Sequence, residues 1–540
     1  MSPAVGSVQT VVVVAFLVFV TVCVLLCALA GPDRDDAADF YTANRSLGTV
    51  RNALAISGDY ISAATVLSTT GVIALAGFDG MMVTCATALA LLLVMVLLAE
   101  PLRNAGRFTL GDVLAARMAT RQVRIAAGVV ALAVTMPFLV VQLSGAGSVV
   151  AVLLGLSGYG ARTVCVVLIG ATMVCYAAIG GMKGTGLVQI VKMVIAFASF
   201  GALALLVLHR FEWNLGTLLT AASQGSGLGD SYLRPGAQYG SGATGRLEFL
   251  SVQITLVLGA ACLPHITMRL HSAPDARTAR TSMRWAVGIT AAFLATVVVA
   301  GLGASALVGG AVIRDADPTG RISVLLLSHT LGGAPGTTGS SAVIAVVSCA
   351  VFVTILASVA GVTLAAACSL AHDLYAHAAR GGGLPEQREI AAARWAAVGV
   401  GVVGIVLAVL TERWNVQMLL SLTYSLSASA LFPILVYSLF WRGFTQRGLL
   451  WTLYGSLASV CLLMLFSPAV SGGPGAVFPG VDFHWFPLRT PGVVTVPLGF
   501  LLGWFGSVQR PAPESDGTGF EHLELRALTG VTDSGPRHGQ

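Results

Sequence analysis

The sequence predicts an all-α, polytopic membrane protein of about thirteen transmembrane helices, and three observations carry that reading. Hydrophobic residues fill 56% of the 540 positions, charged residues only 10%, and the mean hydropathy is +0.85. A soluble domain would carry about 25% charged residues to coat its surface. The apolar residues fall in runs of roughly 20, the length a helix needs to cross a bilayer. These runs are continuous, whereas a transmembrane β-barrel alternates over segments of about ten.

The first run, 8–30, ends in Ala28-Leu29-Ala30, which resembles a signal cleavage site. No basic residue precedes it and it is longer than a signal core, so it reads as a retained span. Further spans are predicted at 52–76, 80–101, 125–155, 163–180, 187–208, 248–268, 286–310, 342–371, 394–412, 417–440, 448–467 and 491–507. Those exceeding about 20 residues imply tilt or breaks. With the N-terminus outside, the cytoplasmic segments hold 21 Lys and Arg against 8 outside, so the C-terminus is expected in the cytoplasm. Residues 1–507 form the transmembrane domain, with core repeats of about 52–208 and 248–440, and the polar tail 508–540 is expected to be disordered. Arg far outnumbers Lys, as in a GC-rich bacterial gene, and the expected location is the inner membrane.

The net charge of +6 sits in loops between apolar runs and does not point to nucleic acid. The nine cysteines lie almost all within apolar runs and form no CxxC pair, which leaves no case for disulfides or zinc. No HExxH, GxSxG or phosphate-binding loop occurs, so enzymatic chemistry has no anchor.

A solute path instead needs polar groups at membrane depth, where an Asp or Lys costs about 2.5–3.5 kcal/mol. The second span carries Asp59 near its middle, with Gly58, Ser62, Thr65 and Thr69 at helical spacing. Such density of Gly, Ser and Thr suits either a broken helix that offers free carbonyls or close helix packing. In the ninth span Thr354, Ser358 and Gly361 form a small polar stripe, followed by Thr363; these hydroxyls are hard ligands for a cation or bonds back to their own helix. The seventh span is interrupted by Gly259 and Pro264. Broken spans two and seven, five apart, suit a five-plus-five inverted repeat over spans 2–6 and 7–11. Lys192 suits an anionic solute or an interfacial position equally. Gln142 is a candidate solute contact or interhelical glue, Glu100 and Arg103 resemble a helix-end ion pair, and His265 and His372 read as structural.

At these residues the chain resembles the sodium:solute symporter family, and within it the cation/acetate (short monocarboxylate) branch. The matching stretches are Asp39–Ala43, Leu54–Ala64, Glu100–Val113, Gly180–Thr185 with Val188–Lys192, Leu263–Arg269, and Thr354–Ala365 running to His372-Asp373-Leu374-Tyr375. The resemblance implies alternating access through inverted repeats. It implies a cation site on the carbonyls of Gly58, Ile61 and Thr354 and the side chains at Ala357 and Ser358. Ala357 stands where many sodium-coupled members carry a hydroxyl, which leaves sodium and proton coupling both open. Proline carriers of the family place an Asp at the position of Tyr60, so Asp59 is not a direct carry-over. The expected solute contacts are Asp59, Ser62, Thr65, Gln142 and Thr363. The implied function is symport of acetate, propionate or pyruvate with Na+ or H+ by a monomer in the lipid bilayer, without a cofactor. The alternatives are symport of another small solute, such as an amino acid, or solute sensing on the same fold.

Overall fold

The computed structural model describes residues 36–153, 159–332, 338–381, 384–412, 414–473, 475–509 and 514–529, with isolated positions between 14 and 25. The first predicted span, 8–30, falls almost wholly outside the described residues. All regular structure among the described residues is helical.

Among the described residues eight helices and two bent helix pairs are long and apolar enough to cross a membrane, and two shorter apolar helices, Gly160–Cys175 and Gly492–Val508, accompany them. α1 is broken into α1a (Thr49–Tyr60) and α1b (Ala63–Ala76), bent by 57°. α2 is Phe78–Ala105, α3 Arg121–Gly147, α4 Gly160–Cys175 and α5 Ala177–Arg210. α6 is broken into α6a (Ala243–Ala261) and α6b (Pro264–Leu270), bent by 40°. α7 is Ala276–Leu307, α8 Val343–Ala379, α9 Glu386–Leu410, α10 Val416–Phe440, α11 Gln446–Leu465 and α12 Gly492–Val508. Each predicted span from 52–76 onward has its helix here.

Local chemistry explains both breaks. Ser62 caps α1b by accepting the Thr65 N–H, which lets Ile61 leave helical geometry at φ −80° and ψ 94°. Pro264 opens α6b in the first turn, where its missing N–H costs nothing, and Leu263 before it is extended. The breaks open the two five-helix units α1–α5 and α6–α10 at matching places.

α8 packs against α5 and α3, α7 against α1 and α5, and α6a against α2. One buried cluster joins α1b, α3, α5, α7 and α8; a second joins α1a, α2, α3, α6, α10 and α11. Glycines let backbones meet: a Cβ on Gly58 would lie 2.5 Å from the Gln189 carbonyl of α5. Leu89, Val96, Leu168, Val403, Leu410, Leu462 and Leu501 point outward, as lipid-facing residues do.

Two expectations are corrected. The tail is not wholly disordered, since α13 (Glu514–Thr529) is a helix docked on the membrane domain. Phe520, Leu523 and Ala527 are buried along one face. Asn104 donates to Ala527 O at 2.9 Å, Arg526 to Asn104 O at 2.9 Å, and the Arg117 guanidinium lies 4.7 Å from the Phe520 ring centre. Glu100 and Arg103 are not a pair: Glu100 meets Arg280 at 3.2 Å, while Arg103 donates to the carbonyls of Ala273 and Pro274.

Candidate functional site

The site lies where both breaks face α5 and α8. Asp59, at the end of α1a, pairs with Arg269 of α6b and accepts a hydrogen bond from Gln189 of α5. Arg269 also donates to Met182 O at 3.1 Å and Thr185 Oγ1 at 3.2 Å. Gln189 donates to Ala357 O at 2.9 Å. Gly361 of α8 faces the Asp59 carboxylate so closely that any Cβ would collide with it. The carboxylate is therefore committed to a structural pair that ties α1, α5, α6 and α8 together.

Lys192 lies beside this pair, wholly buried. Its Nζ donates to Gly58 O at 2.6 Å and Ser358 Oγ at 3.0 Å. Ser358 in turn donates to Thr354 O at 2.8 Å, and the Thr354 hydroxyl bonds back to Ala350 O. Ala357 supplies no side-chain oxygen, and its carbonyl takes the Gln189 bond. Two of the five expected cation-site residues, Gly58 and Ser358, thus meet the ammonium group, Thr354 and Ala357 are tied in one step away through their own carbonyls, and Ile61 lies at the break itself. An alkali ion placed on the same oxygens would lie within about 4 Å of Nζ, where like charges repel by about 4 kcal/mol at an effective dielectric of 20. As arranged, this oxygen set fits the lysine and not sodium as well.

The expected solute residues divide. Thr65 lines a cavity of about 90 Å³ together with Thr69, Thr87, Thr255 and Tyr424. It continues into a cavity of about 330 Å³ that shares Gln238, Tyr239, Gln417, Ser421 and Thr490 and reaches the face bearing residues 211–242. Ser62 lies at 3.1 Å from Thr65 Oγ1 as part of the helix cap. Both amide atoms of Gln142 are buried without a hydrogen-bond partner among the described residues. Gln142 is one turn beyond Phe138, whose ring stacks on His265 of α6b at 5.3 Å. Thr363 bonds back to Val359 O at 2.8 Å and stays in its own helix.

Beside the Asp59–Arg269 pair about 10 Å³ of space remains, between Asp59, His265, Arg269, Gly361 and Leu364, at the limit for one water; a separate cavity of about 500 Å³, lined by Arg107, Asp112, Arg124 and Arg526, lies on the α13 face. The chain is open toward the 211–242 face and closed toward the face that carries α13. On the open face Asp79, fully buried in the first turn of α2, accepts the backbone N–H of Gln238 at 2.7 Å and of Gly236 at 3.1 Å. Tyr232 donates to Ile73 O at 2.6 Å.

On the closed face a charge network joins four elements. Arg124 of α3 meets Asp112 at 2.7 Å and Asp373 of α8 at 2.9 Å, and Thr109 donates to Asp373 at 2.8 Å. His372 lies 3.0 Å from Asp112 and 2.6 Å from Glu389 of α9. Burial alone would raise the Asp112 carboxyl, but the charge and hydrogen bond of His372, then those of Arg124, hold it well below the usual carboxylate range. Asp112, His372 and Asp373 are spaced closely enough to hold a metal. The Arg124 guanidinium already occupies the space between both carboxylates, so the group is an ion-pair network. His372 is held in this network between Asp112 and Glu389.

Two broken helices facing α8, each opening a five-helix unit, define a membrane-embedded secondary transporter rather than an enzyme. The chain belongs to the sodium:solute symporter family, whose model matches residues 40–455. It is 38% identical over 526 residues to a monocarboxylic acid transporter of Corynebacterium glutamicum, covering 96% of this chain and 94% of that one. It is 38% identical over 517 residues to an uncharacterized symporter of Bacillus subtilis, YwcA, covering 96% and 98%. Its fold is similar to that of a Na+-coupled sialic acid symporter in a substrate-bound outward-open state, with a TM-score of 0.69 at 14% identity over 93% of this chain and 99% of that one. It is also similar to the nucleobase-cation-symport-1 transporter Mhp1, with a TM-score of 0.52 at 15% identity over 91% and 98%.

Proposed function

We propose that this protein imports a short-chain monocarboxylate, such as acetate, propionate or pyruvate, by ion-coupled symport across the cell membrane. The observation that carries the reading is the near full-length likeness to a monocarboxylic acid transporter. Electrostatics agrees with it: Asp59 and Arg269 cancel, so the Lys192 ammonium leaves one unpaired positive charge beside the break, a field that favours an anion. The α1b N-terminus adds its dipole in the same region. Thr65 and the free amide of Gln142 are the donors assigned to the carboxylate, with Ser62 positioning Thr65. Asp59 holds the closure on the α13 face rather than touching solute.

Charge counting assigns the α13 face to the cytoplasm and the 211–242 face to the exterior. The cavity then opens outward, ready to load. Labelled acetate uptake into vesicles tests the reading, with sodium and proton gradients imposed separately and with propionate, pyruvate and proline as competitors. Uptake driven by one gradient and blocked by the short acids supports it. Uptake that survives collapse of both gradients, or competition by proline alone, refutes it.

A further inference from the structure

We infer that Lys192 is a built-in substitute for the alkali cation, so that this symporter works without sodium. The inference rests on three features of the structure. First, Nζ bonds the two oxygens, Gly58 O and Ser358 Oγ, on which the family resemblance places the ion. They come from the two elements such an ion would join, the α1 break and the middle of α8. Second, the neighbouring carbonyls of α8 already carry hydrogen bonds: Ala357 O accepts from Gln189, and Thr354 O accepts from Ser358. Third, the charge count is already complete. Asp59 is the carboxylate closest to hand, and Arg269 and Gln189 hold it. Among the described residues no further anionic group stands there to offset a second cation.

The geometry also excludes the bland alternative that Lys192 is anchored at the membrane interface. Its side chain is 0% exposed, and its hydrogen-bond partners lie at a helix break and a mid-helix hydroxyl rather than at a helix end. The ammonium bridges α5, α1 and α8 as a hard cation would, with three N–H donors in place of empty coordination sites. Ala357 completes the picture: the position where a hydroxyl would face a metal ion is a methyl group, and the lysine lacks nothing by it.

The inference concerns the ion and rests on the symport reading only for its uptake arm. The deciding experiment uses the full-length protein purified in detergent, with thermal unfolding measured in sodium, potassium and choline chlorides at equal ionic strength. A ligand that binds the folded state raises the midpoint, and this readout needs no solute. The wild type is expected to show no sodium-specific shift. Lys192→Ala, which frees both oxygens and removes the charge, is expected to gain one. In vesicles, wild-type uptake of labelled acetate is expected to keep its rate when choline replaces sodium. A saturable, sodium-specific rise in the wild-type midpoint would overturn the inference, as would loss of uptake on sodium removal. The wild-type measurements decide even if Lys192→Ala fails to fold. Absence of acetate uptake under every gradient would count against the proposed solute, since the sodium shift is read independently of it.

Discussion

Replacing Asp59 by Asn tests the closure of the site most directly. Asp59 and Arg269 are 4% and 1% exposed, so the substitution leaves a guanidinium buried without its counter-ion. Removing one member of a buried pair costs about 3–5 kcal/mol. The lower end applies here, because Arg269 keeps Met182 O and Thr185 Oγ1 and the Asn amide oxygen still accepts from Nε. Arg269→Met strands the carboxylate instead, with Gln189 as its remaining partner, and should cost at least as much. The double variant removes both charges and is expected to recover most of the loss, since a buried pair replaced by neutral groups is often neutral overall. A double-mutant cycle on denaturant unfolding in mixed micelles should therefore return a coupling of about 4–5 kcal/mol. Single variants that each cost under about 1 kcal/mol, or costs that simply add, would show that the pair does not hold α1 to α6.

Gly361→Ala puts a methyl group into the Asp59 carboxylate; overpacking of this kind costs about 1–3 kcal/mol, and uptake should fall because α8 is pushed from α1. Retained uptake with unchanged thermal stability would contradict the close approach. Arg117 donates to the carbonyls of Tyr437, Ser438, Trp441, Arg442 and Phe444. Buried acceptors left unpaired cost about 1–3 kcal/mol each, so Arg117→Ala should abolish accumulation of folded protein, as read by fluorescence-detected size exclusion. Asp112→Asn should destabilise the purified protein by an amount constant between about pH 5 and 6, above the unfolded carboxyl and below the unfolded imidazole of its partner His372 at ~6.5. The Asp112 carboxyl is depressed in the folded state, so its contribution is complete above the unfolded value near ~3.9 and fades only as pH falls below it. A gap between wild type and variant that widened in acid would have the wrong sign.

Much of the architecture is legible because membrane helices are written locally. Apolar runs mark each span, and Gly259 with Pro264 announces the α6 break before any contact is known. Asp59 stands out for the same reason, as a costly residue in an apolar run. Its partner does not: Arg269 reads as the first loop residue after a span ending at 268, and a pairing across 210 positions leaves no local trace. Lys192 is visible as buried charge, but only the fold brings its ammonium to Gly58 and Ser358. Glu100 and Arg103 show the converse, since helical spacing suggests a pair and tertiary partners claim both. The polar composition of the tail hides its helix, although Phe520, Leu523 and Ala527 lie three and four apart, the stripe of a helix with one face to bury.

Asp79 carries a different kind of information. It holds the segment over the outer cavity through the backbone N–H groups of Gly236 and Gln238 and through no side chain of that segment. Gly236, at φ +107°, is bound to its residue type by conformation, whereas position 238 needs only to avoid proline. At Gly236 and Gln238 the rim is thus anchored through the backbone alone, while the Tyr232 hydroxyl ties the same segment to Ile73 O. Gln238 and Tyr239, which line both cavities, can be exchanged while the backbone anchor and the fold beneath stay as they are.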